Sequence, residues 1–294
     1  MINTYIFHHD DLDGIASSYI LKNYYFNVKC VTCSYEGDLI NPLDMVKKGD
    51  TVIIADYSFQ PEIMKKLYLL LGDNLVWLDH HISAINNSKT YKYNQIRGIR
   101  DTKYCGTELS WIWCKPNSNL PDLVKLIGEF DTFRNYGSDK FHKALCLFYG
   151  IKSYDETELE KAIKYFYIND LDYAQRYFYN FIDSGEIIYN YKKNEYKEYG
   201  KDNSYVKNIW GLKVLCMNTC FGGLSLQLPK IYNPKKHDMI LTYYYNGKCW
   251  CYGFYTDSKN HPEIDCSQIA IKYGGGGHKG AAGATLNYLL EELI

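Results

Sequence analysis

The chain has 294 residues, 46% of them hydrophobic and 23% charged, with a formal net charge of −1. That length accommodates two ordinary domains with buried cores, and the balance excludes the disordered and collagen-like classes. A near-neutral chain also lacks the basic excess by which proteins track a long nucleic acid backbone, which disfavours long duplex partners.

The first third alternates short apolar runs with helical segments, the pattern of a parallel sheet flanked by helices. Tyr5-Ile6-Phe7 leads into His8-His9-Asp10-Asp11-Leu12-Asp13-Gly14, after which Ala16, Ile20 and Leu21 recur at helical spacing up to Tyr25. Cys30-Val-Thr-Cys33 reads as part of an apolar strand, because no second pair follows at zinc-site spacing. Thr51 to Ala55 leads into Asp56, and Pro61 then opens a helix towards Leu71. Leu75 to Leu78 leads into Asp79-His80-His81. From Gly106 to Trp113 and from Leu120 to Phe130 the pattern is helical, and the second segment delivers Asp131. Residues 155 to 200, rich in Tyr and Lys, read as mostly helical.

Around Lys197 to Asn208 the apolar periodicity lapses, which sets the expected organisation: a first domain over 1–195, a linker over 196–208 and a second domain over 209–294. Leu212 to Met217, Met239 to Tyr245 and Cys249 to Tyr255 read as strands, with Asn246-Gly247 as a hairpin turn. A helix over Ser267 to Tyr273 runs into Gly274-Gly-Gly-Gly277-His278-Lys279-Gly280-Ala-Ala-Gly283. The expected fold class is α/β: a parallel-sheet N-terminal domain with flanking helices, a smaller α/β C-terminal domain and a cleft between them. No basic segment followed by an apolar run opens the chain, and no stretch has the apolar length of a membrane span, so cytoplasmic residence without a membrane partner is expected. The ten cysteines are accordingly expected as free thiols. The 31 tyrosines read as codon bias rather than as a stacking surface.

Open parallel sheets bind ligands at the carboxyl ends of their strands, and His9, Asp11, Asp13, Asp56 and Asp79 to His81 would all fall there. His9, Asp11 and Asp13 stand at alternate positions leaving a strand, so the three can face one cavity. Oxygen ligands with imidazoles and no thiolate suit Mn²⁺ or Mg²⁺. A plain acidic turn, with Asp13 capping the following helix, would look similar in isolation. Either His8 or His9 could supply the imidazole, and His9 keeps the alternate spacing.

Taken in order, these motifs resemble the DHH phosphoesterase superfamily: His9-Asp-Asp11-Leu-Asp13-Gly14, Asp56 in Ala-Asp-Tyr-Ser, the Asp79-His80-His81 triplet, and Asp131 in Glu-Phe-Asp-Thr. The glycine-rich Gly274 to Gly283 segment is similar to the signature of the C-terminal substrate-binding domain in one branch. The resemblance implies one divalent cation on His9, Asp11 and Asp56, and a second on Asp13, Asp56, His80 and Asp131, with Asp56 bridging. Mn²⁺ is the expected ion, with Mg²⁺ or Co²⁺ as substitutes, and the pair, about 3.5–4 Å apart, would activate a shared water. Asp79 would orient His80 or relay a proton, His81 would contact phosphate or the leaving oxygen, and Gly275, Gly276, Gly277 and His278 would grip a terminal phosphate. The implied activity is metal-dependent hydrolysis of short oligonucleotides or linear dinucleotides to nucleoside 5′-monophosphates. Cyclic mono- or dinucleotide hydrolysis is the main alternative, ahead of pyrophosphate or polyphosphate hydrolysis and of a silent nucleotide sensor. The oligomeric state is left open, a homodimer included.

Overall fold

The computed structural model describes residues 2–35, 40–220 and 232–293, and the chain divides into two units, Met1–Tyr189 and Asn190–Ile294. In the first unit β1 (Thr4–His9), β2 (Val28–Cys33), β3 (Thr51–Ala55) and β4 (Leu75–Leu78) form a parallel sheet in the order β2-β1-β3-β4. The helices of this unit are α1 (Leu12–Tyr24), α2 (Pro61–Leu71), α3 (Ile82–Thr90), α4 (Gly106–Cys114), α5 (Asp122–Asp131), α6 (Asp139–Ile151), α7 (Glu156–Tyr167) and α8 (Leu171–Asn203), the last running on into the second unit.

Strand alternation explains the two layers of helices. Ile6, Ile53, Val76 and Leu78 face a core shared with α1 and α4 to α8, while Tyr5, Phe7, Val52, Ile54 and Trp77 face a second core containing Met64 and Leu67 of α2. Burial on both faces is why β3 and β4 read as unbroken apolar runs. After β1 the chain builds β2 on one side of it, then crosses to place β3 on the other. The order therefore reverses between β1 and β3, the kind of switch point at whose carboxyl ends open α/β sheets bind ligands. His8 pairs in register with Ala55, and Ala55 with Leu78, so His9, Asp56 and Asp79 leave the sheet side by side.

The second unit carries a six-stranded mixed sheet, β5-β6-β7-β8-β10-β9, made of β5 (Ser204–Ile209), β6 (Leu212–Asn218), β7 (Met239–Tyr245), β8 (Trp250–Tyr255), β9 (Gly276–His278) and β10 (Ala281–Leu286). Helix α9 (Cys266–Lys272) packs Cys266 and Ala270 into a core with Val214, Leu241 and Phe254. Gly247, at φ +95°, turns β7 into β8.

The expected linker over 196–208 is not one. Its first part is the end of α8 and its second is β5, which pairs with β6 along its whole length. The polar composition that suggested a linker belongs to an edge strand exposed at Tyr205, Val206 and Asn208 and to the solvent face of a 33-residue helix. All ten cysteines are free, and among the described residues no helix is long and apolar enough to cross a membrane.

Candidate metal centre

The structure converges His9, Asp11, Asp13, Asp56, His80, His81 and Asp131 at the end of the parallel sheet. Among the described residues, ligand atoms of His9, Asp11 and Asp56 lie within 4.8 Å of one another, as do those of Asp13, His80 and Asp131, and those of Asp56, His80 and His81. His80 ties the groups together: its Nε2 is 3.1 Å from Asp56 Oδ1, 3.5 Å from Asp131 Oδ2 and 3.8 Å from Asp13 Oδ2. His9 Nδ1 sits 2.8 Å from Asp11 Oδ2 and 4.0 Å from Asp56 Oδ2. His8 is buried and its Nδ1 contacts the His9 carbonyl at 2.8 Å, so the imidazole at the cluster is that of His9.

Each carboxylate is set by its own local structure. Asp11, not Asp13, caps α1, accepting from the Gly14 amide at 2.9 Å while its other oxygen faces His9. Asp13 is buried and reaches across the chain to the start of α4, accepting from the Gly106 amide at 2.6 Å and the Thr107 amide at 2.8 Å. That helix end brings two aligned backbone donors to a crowded group of negative charges. Gly106 is required by proximity, since a Cβ there would lie 2.5 Å from Asp56 Cβ. Asp56 follows β3 in a left-handed conformation, φ +55°, which costs a non-glycine residue about 1–3 kcal/mol and recurs at functional sites.

Asp79 is fully buried and committed to donors. Oδ1 accepts from His81 Nδ1 at 2.8 Å and from the His80 and His81 amides, and Oδ2 accepts from Ser58 Oγ at 2.9 Å and Trp77 Nε1 at 3.2 Å. It therefore orients the His81 ring and not, as the resemblance implied, that of His80, whose Nε2 turns to Asp56. Burial alone would push Asp79 up, but the His81 and Ser58 hydrogen bonds outweigh it and hold the carboxyl below its usual range. Burial would lower His81, and Asp79 outweighs that to raise it.

Asp56 and Asp131 show the opposite balance. Burial, then the neighbouring Asp13 and Asp11, pushes both carboxyls well above their usual range. Asp56 Oδ2 and Asp131 Oδ2 are buried without a hydrogen-bond partner. Unpartnered carboxylate oxygens packed against like charges are the condition that a cation relieves. The donor set therefore fits divalent ions held by oxygen and imidazole nitrogen.

Glu108 and Arg134 carried no sequence signal, whereas Arg97 and Arg100 stand out in the sequence as a basic cluster that reads as a solvated loop or a substrate contact. Glu108 is buried beneath the cluster, bound to Arg134 Nη2 at 2.8 Å and to the Cys105 amide at 3.0 Å, a pairing that only the fold creates. Arg100 binds the Trp77 carbonyl and lies over the Trp77 ring, and Arg97 binds the Asp73 carbonyl, so both brace the fold. In the second unit Gly276 to His278 form the exposed edge strand β9. A side chain on Gly275 would strike the Gly283 carbonyl, and one on Gly277 would lie 2.6 Å from Ala282 Cα, so those two glycines serve the packing of β9 on β10. Gly276 has open space around it.

No family model matches the sequence. An uncharacterized protein of Acanthamoeba polyphaga mimivirus is 22% identical, over 96% of this chain and 67% of its own length. Among solved structures, the pGpG-specific phosphodiesterase PggH of Vibrio cholerae is similar at a TM-score of 0.53 and 12% identity, covering 97% of this chain and 93% of that one. The DHH domain of a protein assigned to a family of ribosomal proteins is similar at 0.55 and 14% identity, over 98% and 83%. RecJ of Thermus thermophilus, in complex with Mn²⁺, is similar at 0.56 and 12% identity, over 97% of this chain and 49% of that one. The likeness is one of fold: the chain is similar in fold to these DHH-domain and phosphodiesterase structures.

Proposed function

We propose that the chain is a two-metal phosphodiesterase that hydrolyses short oligonucleotides or linear dinucleotides to nucleoside 5′-monophosphates. The observation that carries this reading is the convergence of four aspartates and two histidines, with orphaned Asp56 and Asp131 oxygens, at the switch point of the sheet. His9, Asp11 and Asp56 would hold one ion, and Asp13, Asp56, His80 and Asp131 the other. Asp13 can do so while capping α4, because each carboxylate oxygen carries two lone pairs. Bound divalent ions supply Lewis acidity towards the phosphate oxygens and an acidified water. Manganese is the preferred ion, in keeping with the oxygen and imidazole donors and with the Mn²⁺ complex of the RecJ neighbour.

The chain's own part is positioning and proton transfer. Asp79 fixes Nδ1 of His81 as the hydrogen-bonded edge and leaves Nε2 to face a phosphate or leaving oxygen. Asp79 raises the His81 pKa and so favours the protonated ring, whose Nε2 can pass its proton to the departing oxygen as the ester bond breaks. Gly275, Gly276, Gly277 and His278 are proposed to bind a substrate phosphate, with Gly276, Gly277 and His278 as the exposed members. The likeness to a pGpG-specific phosphodiesterase supports linear dinucleotides as the substrate class.

The test incubates the purified chain and Mn²⁺ with a labelled 5-mer RNA, pGpG, cyclic di-AMP, cAMP and pyrophosphate, beside an Asp56→Asn variant. Turnover of pGpG and the 5-mer, absent in the variant, is expected. Turnover of pyrophosphate alone would refute the diester assignment, and a fully active variant would refute the bridging carboxylate.

A further inference from the structure

We propose that His142, Cys146 and Glu186 form a second cation site, separate from the acidic cluster, that takes zinc or a similarly thiophilic divalent ion and pins α6 to α8. His142 and Cys146 stand four residues apart on α6, so one face of one helix presents both. Glu186 approaches from α8: its Oε2 is 3.0 Å from His142 Nε2 and 3.0 Å from Cys146 Sγ, and the thiol and imidazole are 3.6 Å apart. A tetrahedral zinc ion bound at about 2.0–2.3 Å needs its nitrogen, oxygen and sulfur donors roughly 3.3–3.6 Å from one another. The triangle matches that footprint after an opening of roughly half an ångström, within reach of side-chain rotation.

The backbone behind the triangle is fixed. A side chain on Gly185 would strike the Cys146 carbonyl, and one on Gly150 would strike the Phe181 carbonyl, so α6 and α8 meet backbone to backbone. The Tyr189 ring makes a T-shaped contact with His142, with centroids 4.9 Å apart. Cys146 is 1% exposed at the base, while the His142 and Glu186 side chains are 42% and 47% exposed, which opens a path for an ion and room for a water as fourth ligand.

The same trio could be read as a cysteine nucleophile with its base, and the electrostatics argue against that. Burial and the Glu186 carboxylate push the Cys146 thiol up to about 12, so without an ion it stays a protonated, hydrogen-bonded group. A divalent ion displaces that proton and makes the sulfur a thiolate ligand. The two centres should also sort their metals. Oxygen and imidazole donors at the acidic cluster favour manganese or magnesium, whereas one thiolate shifts preference to zinc.

Titration of the purified full-length chain with Co²⁺, read by thiolate-to-cobalt charge-transfer absorption, isolates this site, because no residue assigned to the acidic centre is a cysteine. The expected result is a saturable band that is lost in Cys146→Ser, retained in Asp56→Asn, and half-saturated only at about tenfold or more higher Co²⁺ in His142→Ala. His142 is partly solvent-exposed, so its variant tests the site without emptying the core, and circular dichroism verifies that each variant folds. A parent protein without the band, a band that survives Cys146→Ser, or an unchanged half-saturation point in His142→Ala would overturn the proposal.

Discussion

At the end of the parallel sheet, Asp56 and Asp79 are 1% and 0% exposed, and hydrogen bonds from Ser58 and Trp77 fix Asp79 while those from Gly106 and Thr107 fix the neighbouring Asp13. In the second unit, Gly276 and His278 lie exposed on a three-residue edge strand. The first region is a set of charges held in place at an energetic cost, and the second is a stretch of backbone whose glycines are largely explained by packing on β10. Chemistry is read with more force from the first, because buried like charges have no structural purpose of their own.

The comparison can be broken most sharply at Asp56. An Asp56→Asn chain is expected to lose a factor on the order of 10²–10³ in turnover, measured on pGpG with saturating Mn²⁺. Near-parent activity would mean that the cluster is only a buried network. Asp79→Asn, which removes one acceptor oxygen from a carboxylate serving five donors, should lower kcat about 10–100-fold with a smaller change in KM, as the His81 ring loses its orientation.

Proton competition gives a third handle. Asp56 and Asp131 titrate above the usual carboxylate range, so they still hold protons where ordinary aspartates have lost theirs. Binding a cation displaces those protons, so affinity must rise with pH, by about tenfold per pH unit for each proton released. Calorimetric Mn²⁺ titrations should therefore show affinity rising with pH through a range that begins above that of ordinary aspartates, and a flat profile would separate these oxygens from the metal. The smallest effect is expected at the glycines. Gly275→Ala should destabilise the chain by about 1–3 kcal/mol through its clash with the Gly283 carbonyl. Gly276→Ala should stay within about 0.5 kcal/mol in urea unfolding, so a raised KM in that variant would count as substrate contact rather than damage.

The strand ends were legible because a short apolar run followed by a polar residue has few readings in a sheet covered on both faces. His9, Asp56 and the Asp79 to His81 triplet therefore came out together, and α2 runs from Pro61 to Leu71 as its pattern indicates. The helix cap points to the wrong aspartate in the sequence because Asp13 serves a helix 93 residues away, a relation that no local pattern encodes. The Glu108 and Arg134 pair and the stacking of Arg100 on Trp77 were hidden for the same reason. Around residues 196–208 the sequence misleads in another way: an edge strand with a wet face and the outer side of a long helix share the composition of a linker.

The left-handed backbone at Asp56 has a consequence for how this chain could drift. At φ +55° glycine or asparagine would sit with less strain than aspartate, and either would also remove a charge from a crowded site. Selection for thermal robustness alone would thus push position 56 away from aspartate, so under the proposed function this residue exchanges heat tolerance for a carboxylate that can hold an ion.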